Sequence, residues 1–280
     1  MKTKVNRLLI LSCFSLSLIG CSMFSNNDNV EKQNKLEREG VVQQRPADYK
    51  VAATTYAELA LDYTQNMYLD LAKTRLVRAQ QLSEEHGYDL AIVNYAAGYY
   101  YQTIGSDNRA EEFYENALDI DEDNFEALNL YAQFLCQNKH NYPDAIELFD
   151  KSLSLPSNNN MAQTLYLYSS CMTTKGDDKK AFELMNKSNR FQVDFMPAKY
   201  QLARMYMQNK EYKNAYKIIY GARDNKEFFN NKGVLEMRLQ LAEYAHNRNA
   251  IATIRLILSS NNFNEKSMND FFSTSDNTEA

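Results

Sequence analysis

Alanines at positions 110, 145, 181 and 215 lie 35, 36 and 34 residues apart, and each sits in a phrase of the same shape. Tyr95-Ala96-Ala97-Gly98-Tyr99-Tyr100-Tyr101 leads through Gly105 to Ala110, Tyr114 and Ala117. Asn129-Leu130-Tyr131-Ala132 with Leu135 leads to Ala145, Phe149 and Ser152. Leu165 and Tyr168-Ser169 lead through Gly176 to Ala181, Met185 and Ser188, and Tyr200-Gln201-Leu202-Ala203 leads to Ala215, Ile219 and Ala222. A unit that recurs this regularly cannot bury its apolar face alone and must stack on its own copies.

Each phrase reads as two helices. A small residue on the first (Gly98, Ala132, Ser169, Ala203) is answered by an alanine on the second, and large residues such as Tyr101, Tyr114, Tyr206 and Ile219 fill the space on either side. Helix axes about 8–10 Å apart require this small-against-large arrangement. A helix pair of about 34 residues is the tetratricopeptide unit. Upstream, Ala60, Tyr63, Ala72, Leu76 and Ala79 fit the same template, with about four extra residues near Glu85-His86-Gly87-Tyr88. Downstream, Leu241, Ala250 and Ile254 keep part of it, but Arg238 stands in the small position, as in a unit that caps a stack. The expected fold is therefore all-α: a tetratricopeptide superhelical solenoid of about six antiparallel helix pairs over 49–263, with a polar tail at 264–280.

Residues 1–20 carry a different signal. Lys2, Lys4 and Arg7 precede an apolar run from Leu8 to Ile19, too short to span a bilayer, which is the pattern of an export signal. It ends in Leu18-Ile19-Gly20-Cys21, a bacterial lipobox, and predicts lipidation of Cys21. Three acyl chains at about 0.8 kcal/mol per buried CH₂ anchor a protein firmly where one chain is marginal. Ser22 in place of aspartate fits transfer to the outer membrane. Residues 21–48, with Asn26-Asn27-Asp28-Asn29 and few aromatics, read as the lipidated start of a flexible tether.

The chain has a net charge of −5, and loss of the signal removes three positive charges. With no basic stripe, nucleic acid is not an expected partner. His86, His140 and His246 are scattered at inter-helix connections without metal-ligand spacing or a nucleophile set, and no cofactor, metal or catalytic residue is expected. Asp119, Asp121, Glu122 and Asp123 lack the glycine and terminal glutamate of a calcium loop and fall in an inter-repeat turn. Beyond the signal and Cys21, two cysteines remain. Cys136 and Cys171 fall at nearly the same height on the first helices of adjacent units, so two readings stay open: a disulfide clipping those units, or two separate small apolar residues.

In this fold the first helices line the concave wall. The positions facing it are Ile92, Tyr95, Tyr99 and Gln102; Glu126, Asn129, Gln133 and Gln137; Gln163, Tyr166, Ser170 and Thr173; and Tyr200, Arg204, Met207 and Gln208. Tyr95, Tyr99, Gln102, Asn129, Gln133, Tyr166, Ser170, Tyr200 and Arg204 form the expected protein-binding groove. Its tyrosines and amides suit a polypeptide segment, and it lacks the lysines that clamp a C-terminal carboxylate.

The phrase Asn129-Leu130-Tyr131-Ala132-Gln133-Phe134-Leu135-Cys136 resembles the Asn-Asn-Tyr-Gly-x-Phe-Leu-Cys signature of the type IV pilus biogenesis and stability lipoproteins, the PilF/PilW-like tetratricopeptide pilotins. Cys171 falls where that family has Gly-x-Cys, and Met237-Arg238-Leu239 with Asn249-Ala250 is similar to its terminal unit. Leu130 stands for the second asparagine, and Ala132 and Ser169 stand for glycines. The usual repeat-ending proline is replaced around Glu122 and Ser157. The resemblance implies an outer-membrane lipoprotein facing the periplasm, which binds a secretin or another pilus assembly protein and promotes secretin localisation and assembly. The alternative is a structural lipoprotein of the outer-membrane protein insertion machinery, also a lipidated tetratricopeptide stack.

Overall fold

The computed structural model describes residues 48–221, 226–261 and 263. The lipobox with Cys21, the signal, nearly all of the tether and the 264–280 tail lie outside the described residues. Within them the chain is a tetratricopeptide-like solenoid of six paired helices. The pairs are α1 (Tyr49–Gln65) with α2 (Leu69–His86), α3 (Ala91–Thr103) with α4 (Asp107–Ile120), and α5 (Phe125–Gln137) with α6 (Tyr142–Ser154). They continue as α7 (Met161–Lys175) with α8 (Asp178–Phe191), and α9 (Met196–Gln208) with α10 (Tyr212–Tyr220). A four-residue helix α11 (Lys226–Phe229) precedes the last pair, α12 (Lys232–Tyr244) and α13 (Arg248–Ser259). First helices of neighbouring units lie side by side from α1 to α9, and each second helix also touches the first helix of the next unit.

The small-on-small rule holds in five pairs. Ala60, Ala132, Ser169 and Ala203 on first helices and Ala72, Ala110, Ala145, Ala181 and Ala215 on second helices have no exposed surface. Where Ser169 stands, its hydroxyl donates to the Ala181 carbonyl on the facing helix at 2.6 Å, so a polar residue is buried without an unmet hydrogen bond. In the terminal pair, Arg238 at the small position is half-buried and lays its guanidinium 4.9 Å from the Phe229 ring and 5.4 Å from Tyr220. Phe228, beside it, is fully buried. The sequence pattern gave no sign of α11, because a four-residue helix has no period to read. Only Ile254 of α13 is buried, as expected of a unit whose outer face meets water.

The extra residues upstream lengthen a helix rather than a loop. α2 runs 18 residues, against 14 in α4, and Gly87 at φ 66° ends it. The turn inside every pair has one residue in the left-handed region: Met67 (φ 61°), Gly105 (75°), His140 (55°), Gly176 (86°), Lys210 (61°) and His246 (51°). Two of the three histidines are thus turn residues, doing what glycine does in two other units. His86 stacks on Tyr49, ring centroids 3.8 Å apart.

Candidate functional site

The candidate groove is built on three consecutive first helices. On α3, Tyr95, Tyr99 and Gln102 follow one another at helical spacing and share a face. α5 contributes Glu126, Asn129, Gln133 and Gln137, and α7 contributes Gln163, Tyr166 and Ser170. Together with Leu61 and Gln65 of α1 they line one cavity of about 550 Å³. Seven of the nine groove positions expected from sequence meet there: Tyr95, Tyr99, Gln102, Asn129, Gln133, Tyr166 and Ser170. Tyr200 and Arg204 do not. They line a second, smaller cavity of about 250 Å³ with Met207, Gln208, Gly233, Glu236, Met237 and Gln240. The wall expected to be single is two cavities. The second opens where Gly233 has no side chain, since a Cβ there would come within 3.0 Å of the Tyr200 hydroxyl.

Two of the seven are core residues that only edge the cavity. Tyr95 is 3% exposed and Asn129 5%. Tyr99, Gln102, Gln133, Tyr166 and Ser170 are half-buried and present real surface. Burial alone raises the Tyr99 phenol pKa, and burial raises that of Tyr166 against the opposing charge of Arg204. The Tyr95 phenol is pushed up further, by burial first, then by the Glu126 carboxylate that accepts its hydrogen bond at 2.9 Å, and by the charge of Glu58. The three hydroxyls therefore stay neutral through physiological pH and act as hydrogen-bonding groups.

Two networks tie the wall to the interior. Tyr114, fully buried on α4, donates to Gln102 Oε1 at 2.8 Å. Gln102 in turn donates to Asn138 Oδ1 at 3.2 Å, and Asn138 donates to Asp107 at 3.1 Å. Asn138, at the C-cap of α5, lines the cavity too; in the sequence it reads only as a helix terminus. On the other side, Asn129 Nδ2 donates to Thr164 Oγ1 at 2.9 Å. That hydroxyl also accepts from Asn158 at 3.0 Å and donates to the Asn160 carbonyl at 3.4 Å. With the Thr164 proton committed to Asn160, Asn129 must be the donor of its pair, which leaves its Oδ1 buried and without a partner.

Cys136 on α5 and Cys171 on α7 are joined by a disulfide, Cα atoms 5.7 Å apart. Both are buried, and each adjoins a wall residue, Gln137 and Ser170, so the bond sets the register of two of the three wall helices.

Catalytic alternatives have structural occupations instead. Among the described residues no group of three or more His, Cys, Asp or Glu side chains is placed to hold a metal ion. In the acidic turn, Asp121 accepts from the Asp123 backbone at 3.3 Å and from Asn124 at 3.2 Å, while Lys151 pairs with Asp123 at 3.2 Å and Glu122 at 3.6 Å. No helix among the described residues is long and apolar enough to cross a membrane. The described residues form a tetratricopeptide-like scaffold.

A family model described as anaphase-promoting complex, cyclosome, subunit 3 matches residues 138–222, less than half of the chain. An uncharacterized protein of Haemophilus influenzae is 31% identical over 117 residues, which are 42% of this chain. The chain spans 63% of that relative's length. Among solved structures, Pseudomonas aeruginosa PilF is similar with a TM-score of 0.57 and 22% identity, over 76% of this chain and 93% of PilF. PilW, described as a widely conserved type IV pilus biogenesis factor, has a TM-score of 0.57 at 19% identity, over 79% of this chain and 97% of its own. A tetratricopeptide repeat protein of Parabacteroides merdae has a TM-score of 0.51 at 13% identity, over 88% of this chain and 96% of its own. At these identities the likeness is one of fold: a tetratricopeptide solenoid.

Proposed function

We propose that this chain is a non-enzymatic outer-membrane lipoprotein, anchored through Cys21 and facing the periplasm. It binds a secretin or another pilus component through its groove and promotes secretin localisation and assembly in type IV pilus biogenesis. The observation that carries the binding role is the convergence of half-buried Tyr99, Tyr166, Gln102 and Gln133, from three successive helices, on one cavity. Such a cavity offers rigid aromatic area and amide hydrogen bonds together, as an extended segment requires. The pilus assignment is supported by the Asn129-to-Cys136 phrase and by the likeness in fold to PilF and PilW. The test is deletion of the gene followed by fractionation of envelopes and electrophoresis of unboiled secretin. Loss or mislocalisation of the secretin multimer is the expected result; normal multimers in the outer membrane overturn the assignment. Truncating Tyr99 or Tyr166 to alanine should weaken partner capture by about 1–2 kcal/mol with the melting curve kept. Unchanged capture with a lowered melting temperature would make both rings core rather than surface.

A further inference from the structure

The central cavity is neutral except at one point. Among its lining residues there is no lysine, arginine or histidine, and Glu126 is the one charged group. Glu126 has no ion pair with any described residue. Glu126 is exposed, and its Oε2 accepts from the Tyr95 hydroxyl at 2.9 Å, a bond that ties the carboxylate to α3. Glu58 on α1 adds a second negative charge, near enough to act on the same Tyr95 phenol. The half-buried rings of Tyr99 and Tyr166, whose electron-rich faces attract cations, line the same cavity.

A carboxylate tied to a phenol, with aromatic faces in the same cavity and no cation among its lining residues, is complementary to one chemical class. We infer that the central cavity receives a basic side chain, arginine or lysine, from the bound polypeptide segment. Its cation sits against Glu126 and its methylene stem lies along the tyrosines. This rests on the groove being the binding face and adds what that face selects. An acidic segment would bring its charge beside Glu126 with no cation among the lining residues to offset it; Arg204, whose charge reaches Tyr166, lines the second cavity. A guanidinium also has N–H groups to spare for a neighbouring amide oxygen such as that of Gln133.

The probe is a random decapeptide display library, selected against the purified full chain. Selected peptides are then resynthesised with each arginine replaced by citrulline and each lysine by norleucine, and titrated against the wild type, Glu126→Gln and Tyr99→Ala. Enrichment of a basic residue is expected. Its neutral replacement should weaken binding about tenfold on the wild type and less than about twofold on Glu126→Gln. Glu126→Gln keeps the shape and the Tyr95 hydrogen bond, so it should fold as the wild type does, and circular dichroism checks this. If peptides lose binding on Tyr99→Ala but show no need for a basic residue, the groove stands and the cation subsite is wrong. Peptides indifferent to both substitutions, or a library that yields no binder, overturn the subsite together with the groove.

Discussion

Gly98→Ala offers a direct test of how the helix pairs are held. Gly98 lies in the middle of α3, where alanine would ordinarily stabilise a helix by about 1 kcal/mol. Here a Cβ would stand 2.7 Å from Tyr114 Cδ1, 2.8 Å from Cε1 and 3.0 Å from Cγ. These distances are well inside van der Waals contact, so the ring must move. It has little freedom to do so: Tyr114 is fully buried, with Tyr131 and Phe134 ring centroids each 5.6 Å away and its hydroxyl bonded to Gln102 at 2.8 Å. Overpacking of this kind costs about 1–3 kcal/mol, and displacing the hydroxyl forfeits about 1 kcal/mol more. Set against the helical gain, the net loss is about 1–3 kcal/mol. Urea unfolding followed by circular dichroism at 222 nm measures it, and Tyr114→Leu in the same chain should recover part of the loss by vacating the space. An increase of stability on Gly98→Ala, with an unchanged denaturant slope, would mean that helix propensity outweighs the packing constraint and that the close approach of α3 and α4 is not what holds the unit.

Other consequences follow from particular residues. Reducing the Cys136–Cys171 bond, which closes a separation of 35 residues, should lower stability by about 3–4 kcal/mol on the chain-entropy argument. Urea midpoints with and without reductant, with free thiols counted, check this; two free thiols and an unmoved midpoint would refute it. Lys210→Gly relieves a left-handed residue (φ 61°) and should stabilise by about 0.5–1 kcal/mol, the relief of strain less the added chain entropy; a lowered midpoint contradicts it. Burial and the Asp150 carboxylate push the Tyr168 phenol up to about 12, and burial holds the Tyr114 phenol well above its ordinary value. These phenols bind their protons more tightly in the folded chain than in the unfolded one, where the value is about 10. The stability they carry is therefore complete below pH 10 and is lost as pH rises through the folded values. Absorbance at 295 nm should show a late group of tyrosines ionising together with loss of helicity, and a single titration near pH 10 with helicity intact would refute it.

What the sequence determines here is whatever repeats. The alanines at 72, 110, 145, 181 and 215 mark the close contact inside each pair, and all are fully buried. That contact is local: it joins two helices a dozen residues apart and leaves the same trace in every unit, so the period exposes it. The lining of the central cavity was legible for the same reason, since Tyr99, Gln102, Gln133, Tyr166 and Ser170 recur on first helices from unit to unit.

Only the tertiary structure decided what depends on the rotation between units. It placed Tyr95 and Asn129 in the core and left Tyr99 and Tyr166 half-open. It separated Tyr200 and Arg204 into a cavity of their own and brought Cys136 against Cys171. It also showed that His140 and His246, which the sequence already put at inter-helix connections, are the left-handed residues of their turns. The physical reason is common to all of these. A helical period states which residues share a face, but the depth of that face is set by side chains arriving from the next repeat, about 34 residues away, and by the small rotation with which one unit is stacked on another.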